Sequence, residues 1–153
     1  LAPTGSSDVY TWRASYLPVL NVDSQFVQDP DQDFEMLRFG LREWKKINPY
    51  LLKDFYVLTP WHSQEDKSSF TAYCFFDEEA GKGALLLFRM ENCLEESLNV
   101  RLPFAEDGHT YTLTDEDSGE VLAIAGTTLR ESGCVFTLAE RRSARLIWIG
   151  VEK

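Results

Sequence analysis

The spacing of apolar positions changes once along the chain. Through about Tyr50 it is helical. Val9, Trp12, Tyr16, Leu17 and Leu20 recur at intervals of three and four behind Ser6-Ser7-Asp8, which is N-cap chemistry. Pro18 is incompatible with a helix interior, so this first helix is expected to stop near Tyr16. The following stretch, Leu17 to Asp23, is short, apolar and β-branched and predicts a buried strand. A second helix is predicted over Pro30 to Ile47, with Asp29 as N-cap and Pro30 at the first helical position. Asp31, Asp33 and Glu35 near its start and Lys45-Lys46 near its end complement the helix dipole. Phe34, Leu37, Leu41, Trp44 and Ile47 form its apolar stripe, and Asn48-Pro49 ends it. Gly40 in the middle costs about 1 kcal/mol relative to Ala and marks a place where another backbone can come close.

From Lys53 onward the period shortens to that of strands. Asp54 to Thr59, Ser69 to Asp77, Ala84 to Met90, Ser97 to Leu102, Thr110 to Thr114 and Val121 to Ile124 each read as one. Thr127 to Leu129, Val135 to Leu138 and Ala144 to Ile149 complete the series. Turns rich in Gly, Ser and Asp separate them, among them Glu78 to Gly83 as a hairpin and Asp115-Glu116-Asp117-Ser118-Gly119. Short strands at this spacing predict an antiparallel β-sandwich. The expected fold is therefore mainly β. Residues 51–153 form the sandwich, and residues 1–50 are a helix-strand-helix piece of α/β character.

Composition narrows the function classes. The 153 residues carry a formal charge of -10, with 15 Lys+Arg against 25 Asp+Glu, so a nucleic-acid or anionic-membrane partner is not expected. Four Trp, six Tyr and ten Phe supply ring surface for a real core. Three widely spaced cysteines, Cys74, Cys93 and Cys134, make no disulfide framework, and no N-x-S/T sequon is present; buried free thiols and a cytoplasmic setting are expected. With two histidines and no metal-ligand spacing, neither a metal site nor a cofactor is expected. No segment has the basic start and apolar stretch of a signal peptide, and the opening Leu1 is read as the start of a piece of something longer.

A lone buried strand between two helices needs neighbours on both edges, which the rest of this chain does not provide. Residues 1–50 therefore read as the last units of a (β/α)8 barrel. The ordered series Asp54-Phe55-Tyr56-Val57-Leu58-Thr59-Pro60, Ala84 to Arg89, Tyr111 to Asp115 with Ser118-Gly119, and Ser132-Gly133 before a closing apolar strand resembles the C-terminal region of melibiase-type, family 36-like α-galactosidases. The resemblance runs from about Tyr10 to Ile149. It implies that Leu17 to Asp23 is the final barrel strand, Pro30 to Ile47 the final barrel helix, and the sandwich an accessory domain packed on the catalytic barrel. It further implies that the paired carboxylates of a retaining glycosidase lie on earlier barrel strands, so no acidic residue here inherits either role. The parent would bind an α-galactoside; this chain alone is not expected to be an enzyme. Its uncovered apolar surface is expected to make it self-associate, as a possible homo-oligomer.

Five residues are candidates for contact with a sugar. Asn21 and Asp23 stand at the C-terminal end of the proposed strand, where barrel enzymes place their sites, although Asn and Asp also simply end strands. Trp12 and Arg13 could pair a stacking face with a hydroxyl partner, while the phase of Trp12 with Val9 and Tyr16 is equally that of a core residue. Trp61, beside His62 in a polar loop, offers a platform for the C–H face of a pyranose; its alternative is to fold back over the barrel–sandwich seam. That platform also supports a different reading, a free-standing carbohydrate-binding or interaction module. Asp115-Glu116-Asp117 lacks the Gly and distal Glu of a calcium loop and reads as a solvated turn.

Overall fold

The computed structural model describes residues 2–3, 7–23 and 28–152. It is mainly β. Its centre is a six-stranded antiparallel sheet of β1 (Asp54–Val57), β2 (Phe70–Asp77), β3 (Lys82–Arg89), β5 (Thr110–Asp115), β6 (Val121–Ala125) and β8 (Ser143–Glu152), in the order β1-β2-β3-β8-β5-β6. A two-stranded sheet, β4 (Ser97–Val100) with β7 (Cys134–Thr137), lies against one face, and the helices α1 (Val9–Ala14) and α2 (Phe34–Ile47) cover part of the other.

The period-2 pattern decides which residues go where. In β2, Phe70, Ala72, Cys74 and Phe76 enter the sandwich core, while Tyr73 and Phe75 face the helices. The central strand β3 is buried on both faces: Leu85 and Leu87 join the sandwich core, and Ala84, Leu86 and Phe88 the helical one. β8, next to it, sends Ile147 and Ile149 one way and Ala144, Leu146 and Trp148 the other. The β2–β3 hairpin turns through Gly81 at φ +63, a conformation that side-chain-bearing residues resist. Cys74, Cys93 and Cys134 are free and buried.

Four expectations need correction. Leu17 to Asp23 forms no strand and joins neither sheet; Pro18 interrupts its backbone donors, and Leu17 and Val19 are 59% and 70% exposed. Its backbone is instead held by the Trp44 indole N–H on the Leu17 carbonyl (2.8 Å), the Asn48 amide on the Pro18 carbonyl (2.9 Å) and the Ala2 N–H on the Asn21 carbonyl (2.8 Å).

The second helix starts later than Pro30. Asp29 closes a local turn on the Asp31 N–H, and Asp33 caps the helix by accepting from the Met36 N–H at 2.9 Å. Its buried line runs through Gly40, Glu43 and Ile47, leaving Phe34 exposed. In the first helix Asp8 is the N-cap, accepting from Thr11 N–H at 2.9 Å, and the helix ends at Ala14; Ser6 lies outside the described residues.

Thr127 to Leu129, expected as a strand, is inside a short helix, α3 (Gly126–Glu131), which buries Leu129. β-branched residues favour strands, but here one side must reach the core through a helical turn.

Candidate functional site

Three places in the fold concentrate chemistry. The first joins the helices to the sheet. Arg13 on α1 is 0% exposed and makes a two-pronged pair with Glu43 on α2, Nε to Oε1 at 2.8 Å and Nη2 to Oε2 at 2.9 Å. Its remaining donors reach the Asp117 carboxylate at 2.7 and 2.9 Å and the Ala144 carbonyl on β8 at 2.8 Å. The Tyr16 hydroxyl donates to Glu43 Oε1 at 2.9 Å. Burial opposes the guanidinium charge, but the hydrogen bonds and charges of Glu43 and Asp117 outweigh it and raise the Arg13 pKa above the ordinary arginine value. Burial, reinforced by the Glu43 charge, likewise pushes the Tyr16 phenol well up.

Above this pair Trp12, 1% exposed, lies flat on Gly40. Of the residues read as possible sugar contacts, Trp12 and Arg13 are thus buried here between α1, α2 and β8. Sequence reasoning missed Glu43 and Asp117. Glu43 carried one usable signal, a carboxylate in helical phase with Gly40 and Ile47 on the face that faces inward.

The acidic turn after β5 is correspondingly more than a solvated turn. Asp115 is buried, accepts the Ser118 N–H at 2.8 Å and pairs with Arg145 Nε at 2.8 Å. Burial raises its pKa, yet the Ser118 backbone bond and Arg145 together hold it below the usual carboxylate range. Glu116 accepts from Lys46 on α2 and from the Trp148 indole N–H, both at 2.5 Å. All three carboxylates of the turn are thus spent on protein partners.

The second place is the loop beyond β1. Leu58 and Thr59 stay beside β2, the Thr59 hydroxyl accepting from the Ala72 N–H at 3.2 Å, until Pro60 ends the pairing. Trp61 then projects from the surface, 87% exposed. His62 anchors the loop through Nε2 to the Thr71 hydroxyl at 2.7 Å and Nδ1 to the Ser63 carbonyl at 3.1 Å. Asp66 organises the next turn, accepting from the Ser68 hydroxyl at 2.6 Å, the Ser68 N–H at 2.8 Å and the Ser69 hydroxyl at 2.8 Å. These bonds, the Ser68 hydroxyl first, bring its pKa down to about 2.

The opposite wall carries Cys93, Glu95 and Ser97, and the open hollow between the two walls measures about 440 Å³. Arg89, buried with no carboxylate among its partners, fixes that wall by donating to the carbonyls of Cys93 (3.0 Å), Leu138 (2.8 Å) and Ala139 (2.7 Å).

The third place is the sheet edge at β1. Phe55 and Val57 are exposed on the face that the helices cover elsewhere, with the Phe55 ring 5.1 Å from that of Phe75 and 5.7 Å from that of Tyr73. The aromatic line continues from Tyr73 to Phe88 at 5.7 Å and on to Tyr10 at 5.4 Å, where α1 covers it. Asn21 and Asp23 are exposed and belong to none of these three groupings. Among the described residues no group of three or more His, Cys, Asp or Glu is placed to hold a metal, and no helix is long and apolar enough to cross a membrane.

No protein-family model matches the chain, and no curated protein matches it by sequence. Solved structures do match by fold. A doubly substituted variant of the GH36 α-galactosidase AgaA from Geobacillus stearothermophilus, in complex with raffinose, aligns with a TM-score of 0.58 at 15% identity. A singly substituted variant of the same enzyme, in complex with 1-deoxygalactonojirimycin, aligns with a TM-score of 0.54 at 17% identity. Each alignment covers 77% of this chain but only 16% of the enzyme's. At these identities the likeness is one of fold.

Proposed function

We propose that this chain is the C-terminal part of an α-galactosidase-like glycoside hydrolase, with the β-sandwich as an accessory structural domain on a catalytic barrel and no complete active site of its own. One observation carries the reading: most of the chain matches the fold of a small share of a GH36 α-galactosidase. On this reading residues 1–50 close the barrel and residues 51–153 form the sandwich. The reaction class needs two carboxylates about 5–5.5 Å apart flanking the scissile bond, and these belong to the barrel portion. The α-galactoside is the substrate of the parent enzyme, reached by this chain only through that enzyme.

Two surfaces support the role. Leu17, Val19 and Val22 are apolar and exposed on a segment without strand partners, which a barrel would supply. Phe55 and Val57 extend a covered aromatic face past the helices, as expected where a further layer packs. The clasp of Arg13, Glu43 and Asp117 then has a mechanical purpose, since it ties the segment next to the barrel to the sandwich. Reading the encoding gene upstream of the Leu1 codon tests the proposal. The expected result is an open frame continuing through several βα units; a stop codon directly upstream would overturn it.

A further inference from the structure

We propose that the hollow beside Trp61 binds a neutral saccharide, with one pyranose ring stacked on the Trp61 indole and its hydroxyl groups donating to the oxygens of the opposite wall. The inference stands apart from the accessory-domain reading, because every residue it uses lies within this chain.

The indole comes first. Trp61 leaves 87% of its surface to water on a loop that is stiffened by Pro60 and pinned by His62 to Thr71 and Ser63. The loop beneath it is thus held in place, and the indole offers a large flat apolar face to solvent. The C–H face of a pyranose is the complementary surface, flat and apolar, with polar groups around its rim.

The rim of the hollow decides the ligand class. Glu95 and Asp66 are its charged residues, and Thr59, Ser68 and Ser97 add hydroxyls, with no Lys or Arg in the lining among the described residues. A phosphate or carboxylate ligand would meet like charge with nothing to compensate it. An apolar protein surface laid over the hollow would strip water from the Glu95 carboxylate without offering a donor. A polyol does offer donors. Glu95 is exposed and accepts only a weak bond from the Cys93 thiol at 3.6 Å, so its oxygens have capacity left. Asp66 is already saturated by Ser68 and Ser69 and serves to shape the loop. Arg89 holds the Glu95 wall at fixed distance by gripping the Cys93 carbonyl. The volume, about 440 Å³, falls in the range of roughly 300–1,000 Å³ typical of ligand clefts and suits one or two sugar rings.

The test uses the four indole N–H resonances of the chain. Trp12, Trp44 and Trp148 serve as internal references while melibiose, maltose, mannobiose and inorganic phosphate are titrated separately. The expected result is a saturable shift of the Trp61 signal alone with at least one disaccharide in the millimolar range, and none with phosphate. Trp61→Ala, whose remaining three signals report an intact fold, should weaken binding at least tenfold, as read by ligand-observed NMR, with Trp61→Phe retaining part of it. Glu95→Gln should weaken it several-fold. No saturable shift with any of the three sugars, binding unaltered in Trp61→Ala, or a Trp61 signal answering only to the remainder of the parent polypeptide would each overturn the proposal. The last outcome would assign Trp61 to protein docking. None of these outcomes bears on whether the parent enzyme continues upstream.

Discussion

A Cβ placed on Gly40 would fall 2.1 Å from Cδ2 of Trp12, inside the indole itself. The glycine is there because the Trp12 ring lies directly against the α2 backbone, and this contact brings α1 close enough for Arg13 to reach Glu43. A side chain, rather than another backbone, makes the close approach.

Gly40→Ala should therefore destabilise the chain, although Ala is the better helix former by about 1 kcal/mol. Overpacking of a closed site typically costs about 1–3 kcal/mol, and here the intruding atom meets a ring with no room to shift. Urea unfolding should show a lower midpoint for Gly40→Ala. In a Trp12→Ala background the same substitution should cost nothing, giving a coupling of about 0.5–3 kcal/mol between the two sites. Equal effects in both backgrounds would contradict the contact.

Arg13→Ala should be more damaging, by about 3–5 kcal/mol, because it leaves the buried Glu43 carboxylate without its cation. Asp117 is half exposed at the same guanidinium, so Asp117→Asn should cost no more than about 1 kcal/mol. Denaturant midpoints of the two variants check the order.

The loop under Trp61 should be sensitive to acid. The folded-state pKa of Asp66, about 2, lies below its unfolded value near 4, so its contribution is fully present above about pH 4 and is lost as pH falls toward 2. Asp66→Asn should flatten that part of the stability–pH curve and leave the region above pH 5 with the slope of the parent chain. An unchanged slope between pH 4 and 2 would contradict the assignment.

The exposed apolar surfaces of residues 17–23 and of β1 should make the chain associate with itself when no further layer covers them. Sedimentation at micromolar concentration is expected to show species larger than the monomer, and Phe55→Asp combined with Val57→Asp should reduce them. A purely monomeric profile of the parent chain would count against these surfaces as docking faces.

Local pattern carried much of this fold. Alternation in β2 and continuous burial in β3 put Cys74, Leu85 and Leu86 where period 2 places them, and the α2 stripe was visible in its spacing. Its phase was not visible, because Gly40 and Glu43 face inward only through Trp12 and Arg13, some thirty residues earlier in the chain. Asp29-Pro30 imitated a helix start that Asp33 actually supplies. The acidic turn looked solvated because its partners, Arg13, Lys46 and Trp148, come from far along the chain and leave no local trace. The polar loop around Trp61 was legible, but its exposure was not, because it depends on the His62 bond to Thr71, nine residues further on.

Whether this chain is an inactive part of a glycoside hydrolase is decided by turnover of an aryl α-galactoside, measured side by side for the full-length parent polypeptide and for the 153-residue chain. Hydrolysis by the parent and none by the chain is expected, because the reading assigns both reacting carboxylates to the barrel portion. Turnover by the purified chain that disappears in Asp23→Asn would contradict it.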